Sequence, residues 1–337
     1  MRALYFSAGK SIFEVLQGEA DWLLCEKTTP HHFRCLAVDS TRDGRLYGGS
    51  FADGLWISDD AGDTWYPAGE GIAHDCVVSV AVSVSERVDG QAVVWAGTEP
   101  SHLYRSTDGG KTWTNCTGIQ SLASKPEWSF PPRPHTHHVR WIQPDIHEKN
   151  RIFAGIELGG VMQSDDKGET WQDRKPGSQY DCHTLTMTGA AKDRIYEAAG
   201  GGFAESRDGG QTWQTFNDGL DPYSYLVGVA VDSGDPDTII VSAAKSARTA
   251  YIPERAHTVL MRRENNKHWE IITSGLPDPD GASVFSLLAN PNQQGVFYVV
   301  NNLGVYQSVD SGKTWSSLPF QWPEQILNER IWGLTGF

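Results

Sequence analysis

The residues of this 337-residue chain best equipped for chemistry come in short clusters of imidazole, carboxylate and guanidinium groups. They are His31-His32, His74-Asp75, His135-Thr136-His137-His138 followed by Arg140, Tyr180-Asp181-Cys182-His183, Tyr223 with Tyr225, and Glu329-Arg330; Glu99, Glu157 and Asn301-Asn302 stand as further candidates. Three chemistries suit these types. Neutral imidazoles from His137, His138, His183 and His74, with Glu99 or Glu157 as a carboxylate, are the ligands a divalent metal would take, and a metal is the one cofactor this composition suggests. Glu157 and Glu99 with His138 and His183 would serve general acid/base catalysis, because carboxylates in a narrowing channel can have raised pKa values. Arg140, Arg330, Arg34 and Arg248 would anchor an anionic substrate through bidentate pairing. Each has a plainer role beside the chemical one: a hydrogen bond at a strand start for the histidines, ion pairs with Arg140 or Arg330 for the glutamates, charge balance for the arginines. Cys182 beside His183 is a poor nucleophile and base pair, since adjacent strand residues face opposite sides. No G-x-S-x-G elbow or phosphate-cradling glycine loop is present, and Gly200-Gly201-Gly202 between two strand patterns reads as a turn.

The elements that must position these groups come from an internal repeat. Ser58-Asp59-Asp60-Ala61-Gly62-Asp63-Thr64-Trp65 recurs at residues 106–113 (STDGGKTW), 164–171 (SDDKGETW), 206–213 (SRDGGQTW) and 308–315 (SVDSGKTW). Each copy follows a short run of alternating apolar and polar residues, the period of a strand. Asp accepts hydrogen bonds from nearby amides, Gly supplies a positive φ, and Thr-Trp starts the next strand, so each copy is a hairpin turn. The Trp is expected to wedge against the neighbouring unit with its indole N–H bonded locally. Decayed copies at residues 262–269 and 15–22 keep the Trp, which gives seven anchors: Trp22, Trp65, Trp113, Trp171, Trp213, Trp269 and Trp315.

The motif S-x-D-x-G-x-T-W resembles the Asp-box (BNR) repeat of sialidases, sortilin-type receptors and other β-propellers. That resemblance implies an all-β, seven-bladed β-propeller of four-stranded antiparallel blades, with the boxes on the face opposite the ligand site. It transfers no catalytic residue. Sialidases resemble six-bladed propellers with an R-I-P motif, which this chain lacks, so sialidase activity is not expected. Asp-box xyloglucan-cleaving enzymes pair two propellers around a cleft, whereas one is expected here. Photosystem II assembly propellers are exported and carry a basic patch, unlike this chain.

Residues 1–337 are therefore expected to form a single domain, since a closed repeat array accommodates this length. Inner strands should begin near Arg34, Val77, His138, Cys182, Leu226, Val284 and Arg330. Residues 329–337 look like an inner strand with nothing after it and residues 3–15 like second and third strands with nothing before them, so together they should close the ring. Two long segments, residues 120–137 and 243–258, fall in loops of the face opposite the boxes, the usual place for binding. They bring Trp128, Phe130 and Tyr251 to close over a substrate. A net charge of −14 argues against a nucleic-acid or anionic-membrane partner. No run of eighteen apolar residues and no leader pattern is seen, and five cysteines without C-x-x-C spacing read as free thiols, which together suggest a cytoplasmic protein. The leading functional reading is a hydrolase or lyase acting on a small polar molecule, plausible as a carbohydrate derivative, in a pocket at the axial mouth. The alternative is a non-catalytic propeller that binds a protein or glycan on the same face; the oligomeric state is open.

Overall fold

The computed structural model describes residues 2–19, 21–265 and 267–336. It consists of seven antiparallel sheets, six of four strands and one of three. From the inner strand outward, blade 1 is Ile331–Gly336, Arg2–Ala8, Ser11–Gln17 and Trp22–Thr28, and blade 2 is Phe33–Val38, Leu46–Ser50, Leu55–Ser58 and Tyr66–Pro67. Blade 3 is Val77–Val88, Gln91–Thr98, Leu103–Ser106 and Thr114–Asn115, and blade 4 is Val139–Pro144, Ile152–Ile156 and Gly160–Ser164. Blade 5 is Cys182–Thr186, Ile195–Ala199, Gly202–Ser206 and Gln214–Thr215; blade 6 is Tyr225–Val231, Ile239–Ala244, Thr258–Arg263 and Glu270–Ile272. Blade 7 is Ser286–Ala289, Phe297–Asn301, Gly304–Ser308 and Ser316–Ser317. The expected four strands hold except in blade 4, whose outer strand shrinks to one bridge between Gln163 and Gln172. Every inner strand touches the next around the ring, and that of blade 7 returns to that of blade 1.

The turns form as their residues dictate. In the first box, Ser58 Oγ donates to Asp60 Oδ1 (2.8 Å) and accepts the Gly62 amide (2.8 Å). Asp60 also accepts the Thr64 amide (2.8 Å) and hydroxyl (2.5 Å), while the Trp65 indole N–H donates to the Gly62 carbonyl (3.0 Å). The same bonds recur around Asp108, Asp166, Asp208 and Asp310. In the decayed sixth copy the Trp269 indole donates to Phe216 of the preceding blade instead (2.7 Å). Asn266 of that copy, Ala20 of the N-terminal one, and Met1 and Phe337 of the closing blade lie outside the described residues.

Blades pack through apolar faces and through glycine. A Cβ on Gly49, Gly97 or Gly155 would lie 2.7 Å from the Val77 carbonyl oxygen, 2.7 Å from Val139 Cβ and 2.6 Å from Cys182 Sγ, so glycine sets how closely the next blade approaches. The inner strand Ile331–Gly336 pairs antiparallel with Arg2–Ala8 and closes blade 1. The two long loops are partly ordered. The first forms 3-10 turns at Thr117–Ser121 and Lys125–Glu127, and the second, read from sequence as a long loop, forms a one-turn helix, Ala247–Tyr251, capped by Ser246 and Thr249. Among the described residues no helix is long and apolar enough to cross a membrane.

Two outcomes test this account. Deleting Ile331–Gly336 should abolish the single cooperative unfolding transition, and an unchanged melting curve would contradict closure through that strand. Asp108→Ala strips the acceptor from two backbone amides and the Thr112 hydroxyl, so denaturant titration should show a loss of about 1–3 kcal/mol.

Candidate active site

Three positions repeated from blade to blade build the mouth opposite the Asp boxes. The first is the residue after the second strand: Phe51, Glu99, Glu157 and Gly200 in blades 2 to 5. The second is the residue before the last pair that precedes the inner strand's bulge: His32, Cys76, His138, Asp181 and, in blade 6, Tyr225, which is itself paired with Ala244. The third is a bulge. Pairing steps from Phe33↔Ser50 to Cys35↔Gly49, from Val77↔Thr98 to Ser79↔Gly97, from Val139↔Ile156 to Trp141↔Gly155, from Cys182↔Ala199 to Thr184↔Ala198, and from Leu226↔Ala243 to Gly228↔Ser242. The skipped residues are Arg34, Val78, Arg140, His183 and Val227. A bulge takes its extra residue out of the strand's alternation and re-aims the side chain.

These positions interlock across blades. His138 stands between the two equivalent glutamates, with Nε2 3.0 Å from Glu157 Oε2 and Nδ1 3.3 Å from Glu99 Oε2, the second contact off the hydrogen-bond axis. Arg133, from the first long loop, clamps Glu99 with Nε and Nη2 at 2.5 Å each. Arg140 donates from Nη1 to Glu157 Oε2 (2.5 Å) and from Nη2 to the Tyr251 hydroxyl (2.9 Å). Burial alone would raise both carboxyls, but His138 and Arg133 hold Glu99 down at about 2, and Arg140 and His138 take Glu157 well below the usual range. The raised carboxyl expected from a narrowing channel is thus reversed here, because the arginines outweigh desolvation. Both glutamates stay ionised and cannot donate a proton near neutrality. Burial would lower His138, yet Glu157 and Glu99 raise it above its ordinary value.

The carboxyl that burial does raise is Glu197, to about 8, on the second strand of blade 5. It is fully buried, and its Oε2 accepts the Gln179 amide (2.9 Å). Cys182 beside it has a thiol pushed far up by burial and faces an apolar cluster, which removes it as a nucleophile.

Two arginines lack such partners. Arg34 and Arg330 lie over the Trp332 ring at 4.3 and 3.7 Å, and Arg330 also stacks on Tyr251 at 3.9 Å. Neither makes an ion pair with a carboxylate among the described residues, and the Nε of each is buried without a hydrogen bond. Burial pushes Arg330 down to about 10 and lowers Arg34 as well, with Arg140 and Arg133 adding like-charge repulsion.

The remaining candidates fall as follows. His183 places Nδ1 2.5 Å from the Leu226 carbonyl of the next blade and Nε2 3.5 Å from Asp181 Oδ2. Glu157, Asp181 and His183 bring ligand atoms within 4.8 Å of one another. His74, His137 and His138 join no such group among the described residues; His74 packs on His102 at 4.5 Å and His137 on the edge of Trp128 at 5.4 Å. Trp128 is buried with its indole N–H on Ser124 Oγ (2.9 Å), so it is a wall and not a lid. Phe130 packs edge-on against His138 at 4.7 Å, and Arg248 is exposed on its one-turn helix. Trp332 and Phe51, absent from the sequence candidates, carry the arginine stacks. Aligning the repeats on their inner strands, not on the Asp boxes, is the signal that would have grouped these positions.

A pH-dependent stability follows from His138. Its raised folded value means that the stability its charge carries is fully present below about pH 6.5 and is lost as pH rises through that folded value. Urea midpoints measured across this range should fall in the parent chain and fall less in His138→Gln; parallel curves would contradict the buried imidazolium.

The known proteins this chain resembles agree with the architecture. The model of the BNR/Asp-box repeat matches residues 104–115. The oligoxyloglucan reducing end-specific xyloglucanase of Emericella nidulans is 22% identical over 201 residues, spanning 53% of this chain and 24% of that protein. Among solved structures, the GH74 xyloglucanase of Xanthomonas campestris superposes with a TM-score of 0.66 at 16% identity, covering 99% of this chain and 52% of that one. YCF48 bound to a D1 peptide superposes with a TM-score of 0.56 at 16% identity, covering 85% and 81%. The chain thus spans about a quarter of the curated relative and about half of the xyloglucanase structure, and identities this low establish the fold alone. The chain is a seven-bladed β-propeller built on BNR/Asp-box repeats.

Proposed function

We propose that the axial mouth binds an anionic carbohydrate derivative, such as a sugar acid or its short oligomer, and that the protein acts on it as a hydrolase or lyase. The observation that carries this reading is the pair Arg34 and Arg330, two guanidinium groups flanking Trp332 without a carboxylate partner among the described residues. In a chain of net charge −14, cations left unpaired in a half-buried place are costly unless a ligand supplies the anion. A carboxylate suits them because guanidinium pairs with it in a bidentate fork, and the aromatic faces of Trp332, Tyr251 and Phe51 suit the apolar side of a sugar ring. Similarity to proteins named as xyloglucanases supports a carbohydrate over other anions.

In this reading Glu157 and Glu99 act through position and charge: they hold Arg140 and His138 at the mouth. Asp181, with His183 behind it, is the acid/base candidate, because its carboxylate is partly open and has no arginine partner among the described residues. The second reading, a non-catalytic propeller that binds a peptide or glycan on this face, draws support from the superposition on YCF48 bound to a peptide.

Calorimetric titration with glucuronate and galacturonate oligomers, against their neutral counterparts, tests the reading. Acidic sugars should bind and neutral ones should not. Arg34→Met and Arg330→Met should each weaken binding about tenfold to a hundredfold, the worth of one hydrogen bond to a charged group. Equal binding of both sugar classes, or variants that bind unchanged, would overturn it. Asp181→Asn then separates the two readings, since an enzyme loses turnover with little loss of affinity and a binder has no turnover to lose.

A further inference from the structure

We infer that Glu157, Asp181 and His183 form a site for one divalent first-row transition cation of the Mn2+, Co2+ or Zn2+ class, on the axis side between blades 4 and 5. The sequence reading expected a metal held mainly by histidines; the geometry selects one histidine and two carboxylates, with Asp181 as a new ligand. It needs no part of the anionic-sugar reading, and a cation bound there would make Asp181 a ligand instead of the acid/base group.

The first argument is the state of His183. It is 1% exposed, and its Nδ1 lies 2.5 Å from the Leu226 carbonyl oxygen, which can only accept. Nδ1 therefore carries a proton. Nε2 is buried without a hydrogen-bond partner among the described residues and faces Asp181 Oδ2 at 3.5 Å, with Glu157 within the same 4.8 Å cluster. In a neutral ring this is a lone pair aimed at two carboxylates, an arrangement that a cation between them makes favourable. A backbone carbonyl that fixes one ring nitrogen while the other points at a cation is the usual outer-shell support of a metal-bound imidazole.

The repeat places different side chains at equivalent positions of successive junctions. Glu157, Asp181 and His183 occupy the same three positions, one blade on, as Glu99, His138 and Arg140. At the earlier junction Glu99 is paired with Arg133 and faces His138, while Arg140 and His138 reach forward to Glu157 Oε2. At the later junction the bulge holds an imidazole instead of a guanidinium, and the residue before the strand is an acid. Glu157 Oε2 is occupied by His138 and Arg140, while its Oε1 makes no hydrogen bond among the described residues. The glycine at blade 5's first position makes room for this acid: a Cβ on Gly200 would lie 1.9 Å from Asp181 Oδ2. Two carboxylate oxygens and one imidazole nitrogen match the donor preferences of Mn2+, Co2+ and Zn2+, and three protein ligands leave coordination positions for water or a substrate oxygen.

The test is equilibrium dialysis of EDTA-treated, untagged protein against Co2+, Mn2+ and Zn2+ in turn, with elemental analysis of the dialysed protein and the visible absorption of bound Co2+ as readouts. The parent chain should retain one equivalent, with a Co2+ spectrum typical of low-symmetry nitrogen and oxygen ligation. Asp181→Asn and His183→Gln should each weaken binding at least tenfold while near-UV circular dichroism confirms that they are folded. His74→Ala/His102→Ala, which removes the stacked histidine pair elsewhere on the chain, should change nothing. A folded parent chain that retains no metal would overturn the inference and leave His183 as an imidazolium paired with Asp181. So would an equivalent that survives in folded Asp181→Asn, or one lost only with His74 and His102.

Discussion

Closure of the ring is the constraint on which everything else rests. No blade buries both its faces alone, so each depends on two neighbours, and the first and last would be left half-covered in an open array. The chain removes that edge by pairing Ile331–Gly336 with Arg2–Ala8, which places the two ends of the sequence in one sheet. The Asp boxes serve the same end from the other face. Each ties its hairpin with local bonds from Ser, Asp and Trp and sets a tryptophan against the next unit, while Gly49, Gly97 and Gly155 let adjoining inner strands approach.

Closure also decides where chemistry can occur. Inner strands converge at the axis, so the residues at their starts crowd together, and a bulge near each start frees one side chain from the alternation. The outcome depends on what the repeat places there. Between blades 3 and 4 it is a glutamate, a histidine and an arginine: His138 and Arg133 hold Glu99, Arg140 reaches forward to Glu157, and these cations keep both carboxyls below the usual range. Between blades 4 and 5 the same geometry holds two acids and a histidine. At the closing strand it holds Arg34 and Arg330 around Trp332. One scaffold thus presents a neutralised junction, an acidic junction and a basic one within a single mouth.

The fold could be read almost directly from the sequence because its determinants are local. Ser, Asp, Gly, Thr and Trp at fixed offsets specify a turn through bonds spanning four residues or fewer, and seven such anchors fix the blade number. The closing strand was equally readable, since an inner-strand pattern at one end and outer-strand patterns at the other have a single way to join. The reading of the site was less complete. His183, Glu157 and Arg330 stood out by type, but alternation along a strand says nothing of a bulge, so Arg34, Arg140 and His183 could not be recognised as one repeated position. The charge states of Glu99 and Glu157 depend on Arg133 and Arg140 reaching them across loops and blades, and a carboxylate's pKa is set by such neighbours and not by its place in the chain. His74 resembled His183 in sequence, and only the tertiary structure separated them, setting one against His102 and the other against Asp181. The sequence by itself determined the turns, the blade number and the face on which the charged clusters gather, because each rests on short-range geometry. The tertiary structure decided which of its charged groups are paired and which have no oppositely charged partner among the described residues, because pairing across blades depends on distances no local pattern encodes.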